Sequence, residues 1–197
     1  MRLVLLRHGL TLANEQWLYC GSTDLPLSEK GREELRSLRL RGGYPDLRGF
    51  RVYTSGLRRT EETLCELYGE VEHTALPALR EVDFGAFEMR SYDELKADPA
   101  FRAWCEGDNE RNVPPGGESG RQMEERVLAA LTSLLREGRD FLLMTHGGPI
   151  ASIMASLFPE EGKNRWQWQP RNGEGYLVVL DQKKYWKSMP EGDRTHG

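Results

Sequence analysis

Short apolar runs alternate along the chain with segments in which apolar residues recur every three or four positions. The apolar runs predict strands at about residues 2–6, 50–54, 141–145 and 176–180. Residues 2–6, RLVLL, are apolar on both faces of the expected strand, which is typical of a buried strand in a parallel sheet. A tight turn is expected to pair the last of these strands with residues 184–187.

The predicted helices have recognisable start and stop signals. Ser28 is a candidate N-cap, and Gly138 follows the longest apolar stripe. Ser91 and Glu94 form a capping-box pattern before a short helix. The main predicted helices span residues 28–40, 57–68, 118–137 and 149–157. Because strands and helices alternate, we predict an α/β fold with three layers, α/β/α, around a mainly parallel central sheet.

The segment of about residues 84–117 departs from this alternation. It contains short helical patterns, Trp104 and a Pro-Pro-Gly-Gly turn. We expect it to pass over the sheet as a small helical lid, within a single domain that spans residues 1–197.

Composition narrows the class of protein. The chain has 197 residues, of which 38% are hydrophobic, which suffices for the core of one domain. Its 27 basic and 31 acidic residues give a net charge of −4, which argues against a nucleic-acid partner held by a bulk basic field. No apolar run approaches the roughly 18 residues of a membrane-spanning helix, and the N-terminal run is too short for a signal peptide.

The cysteines indicate a reducing environment. Cys20, Cys65 and Cys105 are an odd number and have no Cys-x-x-Cys spacing, so neither a disulfide framework nor a zinc site is predicted. We therefore expect a cytoplasmic protein with reduced thiols, no metal and no cofactor. No pattern in the chain indicates an oligomeric state.

Two of the four histidines occupy equivalent places in the pattern. His8 and His146 each follow an apolar run and precede glycine. The carboxyl ends of parallel strands are where ligands bind in an open α/β sheet, so both imidazoles are expected to meet at one rim. His73 lies in a polar stretch and His196 is next to the C-terminus, and we expect neither to take part in chemistry.

Arginines lie beside both predicted strand ends. Arg7 precedes His8, and Arg58 and Arg59 open the helix that follows the strand near residue 54. A guanidinium group binds phosphate oxygens in a bidentate manner, and a helix N-terminus adds partial positive charge at the same rim. These residues predict a metal-free anion site, with phosphate as the expected anion.

The same residues carry a family resemblance. The segment LVLLRHGLTLAN resembles the signature of the histidine phosphatase superfamily, also called the phosphoglycerate mutase-like family. Five further segments are similar to that family's motifs and follow in its order: CGSTDLPLSEKG, TSGLRRTEET, LREVDFGAFE, PPGGES and MTHGG. Together they cover roughly residues 3–150, which makes the resemblance far more specific than the RHG triplet alone.

The resemblance implies a role for each matching residue. His8 would be the nucleophile that becomes phosphohistidine, His146 the second imidazole at the phosphoryl group, and Glu81 the proton donor. The implied phosphate ligands are Arg7, Arg59, Asn14 and the N–H of Gly147, and the implied substrate contacts are Gly21 and Ser22. Asp83 and Glu88 are alternative carboxylates for the role of Glu81, and Met89 stands where the family usually has glycine.

Three functions compete for this set of residues. We expect metal-independent hydrolysis of a small phosphate ester, possible substrates including α-ribazole 5′-phosphate. The alternatives are phosphoryl transfer of the phosphoglycerate mutase type and a phosphate-binding module without turnover. Mutases usually have a longer region between acid and second histidine, whereas only 146 − 81 = 65 positions separate Glu81 from His146 here.

The pattern of tryptophans and tyrosines does not decide which aromatic side chains line the substrate pocket. Trp17, Tyr19 and Trp104 could contact a base or an aliphatic substrate, or they could be core and loop anchors. Trp166 and Trp168 alternate as on an extended segment, and we assign both to packing.

Overall fold

One six-stranded sheet forms the centre of the computed structural model, which describes residues 1–108, 110–181 and 184–190. The strands are β1 (Arg2–Arg7), β2 (Arg51–Thr54), β3 (Thr74–Ala75), β4 (Phe141–Thr145), β5 (Gly175–Val179) and β6 (Tyr185–Met189). Their order in the sheet is β3-β2-β4-β1-β5-β6. The first four are parallel, whereas β5 is antiparallel to β1 and β6 to β5. The predicted α/β fold with a mainly parallel sheet is confirmed.

Seven α-helices connect these strands within the described residues. They are α1 (Leu12–Glu15), α2 (Glu29–Arg41), α3 (Arg58–Tyr68), α4 (Tyr92–Leu95), α5 (Pro99–Cys105), α6 (Gly120–Arg136) and α7 (Gly147–Leu157). The predicted caps are confirmed: the Ser28 hydroxyl accepts the Gly31 N–H at 3.1 Å, and Ser91 and Glu94 cap each other's backbone. Helix α7 begins two residues before the predicted start, because His146 takes the N-cap position directly after β4.

Two apolar layers enclose the sheet. Leu3 and Leu5 of β1 pack with α6 and α7 on one face, and Val4 and Leu6 pack with α2 and α3 on the other. All four side chains are fully buried. Burial of one leucine or valine side chain contributes about 1.5–3 kcal/mol, so this strand is central to stability as well as to the site at its end.

A separate group of rings is formed by residues 84–105 together with Tyr19. This aromatic cluster consists of Tyr19, Phe84, Phe87, Phe101 and Trp104. Its rings meet mostly edge to face, with centroids 5.3 Å apart for Tyr19 and Phe84 and 6.0 Å apart for Tyr19 and Trp104. The cluster gives the predicted lid segment an apolar centre of its own.

The C-terminal region brings one correction. The expected extended segment around Trp166 and Trp168 is a 3-10 helix, Arg165–Trp168, because Asn164 and Gln167 cap each other's backbone and wind the chain into a turn. Trp168 is buried and packs in the core, as expected, whereas Trp166 is 65% exposed, so its assignment to packing is wrong. The predicted pairing of the last two strands is confirmed, and His196 lies outside the described residues.

Candidate active site

The two predicted histidines meet at the carboxyl edge of the sheet. His8 follows β1, and its backbone N–H donates to the Thr145 carbonyl of β4 at 3.0 Å. His146 follows Thr145 directly, and both imidazoles are buried. The ring centroids lie 5.0 Å apart at an angle of 61°. The expectation that two parallel strands deliver both imidazoles to one rim is confirmed.

The hydrogen bonds of His8 define which ring nitrogen is free. Its Nδ1 lies 2.7 Å from the Gly9 carbonyl oxygen, which only accepts. Nδ1 therefore carries the proton, and Nε2 keeps its lone pair. Burial, followed by the positive charges of Arg59 and Arg7, lowers the pKa of His8 well below 6.5. The imidazole is thus neutral at neutral pH, the form that a nucleophile requires.

His146 has the opposite tautomer. The Arg59 Nε–H donates to its Nδ1 at 3.3 Å, so Nδ1 accepts and Nε2 carries the proton. Nε2 then donates to the Ser55 hydroxyl at 2.8 Å, and Ser55 is 3.1 Å from the Thr60 hydroxyl. Burial, followed by the charges of Arg59, His8 and Arg7, lowers the pKa of His146 well below 6.5.

Two guanidinium groups, one buried and one partly buried, supply the positive charge of the site. Arg59, in the first turn of α3, is 1% exposed and donates to the carbonyls of Gly21 at 2.6 Å and Thr23 at 2.8 Å. Arg7 donates from Nη1 to the Pro170 carbonyl at 2.9 Å, while its buried Nε has no hydrogen-bond partner. A buried donor without a partner is costly, which makes Arg7 Nε suited to an anionic ligand.

Glu81 reaches the site from a loop and meets the first turn of α7. Its Oε2 accepts the Gly148 N–H at 2.9 Å, and its Oε1 accepts the Val82 N–H at 3.0 Å. A Cβ on Gly148 would overlap the Glu81 carboxylate, so glycine at this position makes the close approach possible.

The alternative carboxylates are engaged elsewhere. Glu88 accepts the backbone N–H groups of Gly21 at 2.9 Å and Ser22 at 3.0 Å, in addition to those of Thr23 and Phe84. Asp83 accepts the Ser22 hydroxyl at 2.9 Å. These bonds tie the loop of residues 20–23 to the start of the lid segment.

Gly21 and Ser22 have structural contacts in this loop. A Cβ on Gly21 would overlap the Val82 carbonyl, which explains the requirement for glycine. Neither residue borders the cavity that lies beside Arg7. Their predicted contact with substrate stays a prediction.

A cavity of about 400 Å³ adjoins Arg7 and Glu81, whereas His8, His146 and Arg59 do not line it. Among its lining residues are Arg7, Asn14, Glu81 and Gly148 and the aromatic residues Tyr19, Phe84, Trp104 and Trp166. Trp17 is 86% exposed and does not line it. The Asn14 amide oxygen accepts from the Thr11 backbone and hydroxyl, both at 3.0 Å, so this residue also caps α1. The cavity thus joins an anion site to an aromatic surface.

The whole chain was compared with known proteins. It matches the family model of the histidine phosphatase superfamily (branch 1) over residues 3–189. The chain belongs to the histidine phosphatase superfamily. The adenosylcobalamin/alpha-ribazole phosphatase of Salmonella typhimurium is 32% identical to it over 205 residues, 95% of this chain and 99% of that protein. The crystal structure of the alpha-ribazole phosphatase from Shigella flexneri matches with a TM-score of 0.81 at 28% identity and covers 92% of each chain.

Some mutases of the superfamily match over less of the chain. A 2,3-bisphosphoglycerate-dependent phosphoglycerate mutase from Methylobacterium radiotolerans is 33% identical over 168 residues, 79% of this chain and 78% of that protein. Nearly full-length similarity to phosphatases, against partial similarity to mutases, favours the phosphatase branch.

Sequence reasoning missed several residues of this histidine phosphatase. Ser55, whose hydroxyl accepts from His146, lies within the segment TSGLRRTEET and has no predicted role there. Arg165 and Trp166 border the cavity through a 3-10 turn that no periodicity signalled. Within the described residues no cluster of His, Cys, Asp and Glu could hold a metal ion, and no helix is long and apolar enough to cross a membrane.

Proposed function

We propose that this protein hydrolyses small phosphate monoesters without a metal, through a phosphohistidine intermediate on His8. The observation that carries the proposal is the tautomer of His8. Its Nδ1–H is bound to the Gly9 carbonyl, so the Nε2 lone pair is available beside Arg7, Arg59 and a second imidazole. A neutral imidazole in this setting is a competent nucleophile for a phosphoryl group.

In the first step, the Nε2 lone pair of His8 forms a bond to phosphorus while the ester O–P bond breaks. Glu81, in its protonated form, gives its proton to the departing alkoxide. Arg7, Arg59 and His146, with Asn14 and the Gly147 N–H, bind the oxygens of the phosphoryl group and stabilise its charge.

In the second step, the Glu81 carboxylate takes a proton from water as the water oxygen attacks phosphorus. The P–N bond breaks, and the electron pair returns to Nε2 of His8. Inorganic phosphate is released, and Glu81 is protonated for another cycle. Water is the only co-reactant that these two steps consume, and they involve no change of oxidation state.

We propose a substrate in which the phosphate is attached to a nucleoside-like group with an aromatic base. The aromatic lining of the cavity and its volume of about 400 Å³ fit a metabolite of this kind. The relatives named for α-ribazole make α-ribazole 5′-phosphate the first compound to test. In this proposal the segment of residues 84–117 is the lid of a single domain and brings Phe84 and Trp104 to the substrate.

We further propose that the enzyme acts in the cytoplasm. All three cysteines are free, although Cys20 and Cys105 both line the cavity. Free thiols persist in a reducing compartment, which supports this placement.

The test combines turnover with trapping of the intermediate. The enzyme is assayed with p-nitrophenyl phosphate in the presence of a chelator, and rapid quenching captures labelled phosphoenzyme that is stable to alkali and labile to acid. We expect the unaltered enzyme to release phosphate in the presence of the chelator. His8→Ala should form no phosphoenzyme, and its rate of phosphate release should be lower by at least about 10⁴-fold. The matched control His73→Ala alters an exposed histidine and keeps full activity.

The same assay distinguishes the other functions. Rapid isomerisation of 3-phosphoglycerate with little hydrolysis would indicate a mutase. Phosphate binding without turnover of any ester would indicate a binding module, although every group that the chemistry needs is present in this chain.

A further inference from the structure

The loop that carries Glu81 has no regular structure to hold it. Residues 80–84 belong to neither a helix nor a strand. The preceding 3-10 turn, Pro77–Leu79, is a single turn. A general acid must lie within hydrogen-bond reach of the departing oxygen, so a loop of this kind needs contacts from elsewhere to fix its position.

Those contacts come from side chains that bind four consecutive backbone carbonyls. The Thr145 hydroxyl donates to the Leu79 carbonyl at 2.6 Å. Arg126 of α6 donates from Nη1 to the carbonyls of Ala78 and Arg80, both at 2.8 Å, and from Nη2 to the carbonyl of Glu81 at 2.9 Å.

The remaining donors of Arg126 are bound as well. Its Nε–H donates to Glu118 Oε2 at 3.1 Å, and its Nη2 also contacts Glu118 Oε1. All five N–H groups of this guanidinium are therefore used, three on backbone carbonyls of residues 78–81 and two on Glu118. Glu118 Oε1 in turn accepts the Asp83 N–H at 3.3 Å, so the pair holds the loop on both sides of Glu81.

We propose that Arg126 is a positioning residue for the proton donor, acting through the backbone of residues 78–81 and through Glu118. The proposal rests on the proposed function, because it requires Glu81 to protonate the leaving group. Arg126 itself does not border the cavity and is not expected to touch substrate. Its planar fork matters as well as its charge, since lysine cannot reach three carbonyls and a carboxylate together.

Leaving-group dependence separates this role from a merely structural one. Proton donation helps a basic leaving group, such as phenol, far more than p-nitrophenol, which departs readily as an anion. Each variant is therefore assayed with phenyl phosphate and with p-nitrophenyl phosphate, and the ratio of the two kcat/KM values is compared. This ratio does not depend on the fraction of protein that is folded.

We expect kcat/KM of Arg126→Met to fall about 30-fold with phenyl phosphate and only about 3-fold with p-nitrophenyl phosphate. Arg126→Lys should show the same selectivity to a smaller degree, and Glu118→Gln offers a second variant if the first does not fold. Adding Arg126→Met to Glu81→Gln should produce no further change in the ratio, because both substitutions remove the same contribution.

Arg121→Met is the matched control, since Arg121 lies on the same helix and its side chain is 57% exposed. Its ratio should equal that of the unaltered enzyme. Equal losses on both esters in Arg126→Met, with a selective loss in Glu81→Gln, would overturn the positioning role and leave the proposed function intact. A non-selective loss in Glu81→Gln would overturn the acid role, and the proposal with it.

Discussion

The proposed phosphate-binding groups and the aromatic groups that line the cavity are held by different kinds of structure. His8 and His146 follow central strands, and Arg59 lies in the first turn of α3. Most of the aromatic cluster, in contrast, lies on short helices and turns between residues 84 and 105, and its rings pack mainly on one another and on Tyr19. The comparison teaches that the proposed chemistry depends on the ends of central elements, whereas the proposed substrate surface depends on a separate loop-rich segment, a part of a fold that usually varies more.

The first prediction concerns the phosphate side and has the largest expected effect. Arg59→Met should lower kcat/KM for p-nitrophenyl phosphate by about 10³-fold, because it removes a buried charge that stabilises the transferring phosphoryl group. Arg58→Met is the control, since the neighbouring side chain is 59% exposed and should change the rate less than about twofold. Equal losses in the two variants would contradict the assignment of Arg59.

The second prediction sharpens the placement of Glu81 by comparing adjacent glycines. Gly148→Ala should lower kcat/KM about 30-fold, because the new methyl group would displace the Glu81 carboxylate. Gly147→Ala should cost at most about threefold, since its Cβ would meet the Arg7 guanidinium at an ordinary contact distance of 3.4 Å. Steady-state kinetics of both variants measure these losses. If Gly148→Ala kept the kcat/KM of the unaltered enzyme, the assignment of Glu81 as the proton donor would lose its support.

The third prediction tests the aromatic side. Trp104→Ala should raise KM for α-ribazole 5′-phosphate about tenfold through lost ring contact, while the inhibition constant of inorganic phosphate stays within about twofold. Trp17→Ala, at an exposed position away from the cavity, should change neither value. A parallel rise in both constants in Trp104→Ala would show that the two regions are not separable.

The fourth prediction has the smallest effect and concerns stability. Burial and the nearby arginines lower the pKa values of His8 and His146 well below 6.5 in the folded protein. In the unfolded chain both titrate near 6.5, so below that pH the unfolded state binds more protons and the free energy of unfolding falls. Above about pH 8 neither histidine changes its charge in either state, and this contribution to the pH dependence vanishes.

Each of these two histidines should contribute up to about 1.4 kcal/mol of destabilisation per pH unit as the pH falls from about 6.5. Urea unfolding between pH 7 and pH 5 measures the slope. Replacement of His8 by asparagine should reduce it, because one of the two buried imidazoles is then absent. An unaltered slope in His8→Asn would contradict the lowered pKa.

The elements of the sheet and the two histidines could be predicted because they depend on local pattern. Each signal is complete within a few positions: four consecutive apolar residues predict β1, and the His-Gly step directly follows β4. Helix α3 was predicted to within one residue, since its period and its N-terminal arginines lie in one short segment. The turn at Arg165–Trp168 could not be predicted from its alternating tryptophans, because a capping pair wound the segment into a helix.

By itself, the sequence determined the alternation of strands and helices, the pairing of His8 with His146, and the family resemblance that named Glu81. Only the tertiary structure decided the tautomers of the two imidazoles and the hydrogen-bond partners of the other site residues. The Gly9 carbonyl and Arg59 assign opposite tautomers to the two imidazoles, Gly148 receives the Glu81 carboxylate, and Arg126 holds the loop behind it. Hydrogen bonds between residues far apart in the chain leave no periodic trace, so they become visible only when the fold brings donor and acceptor together.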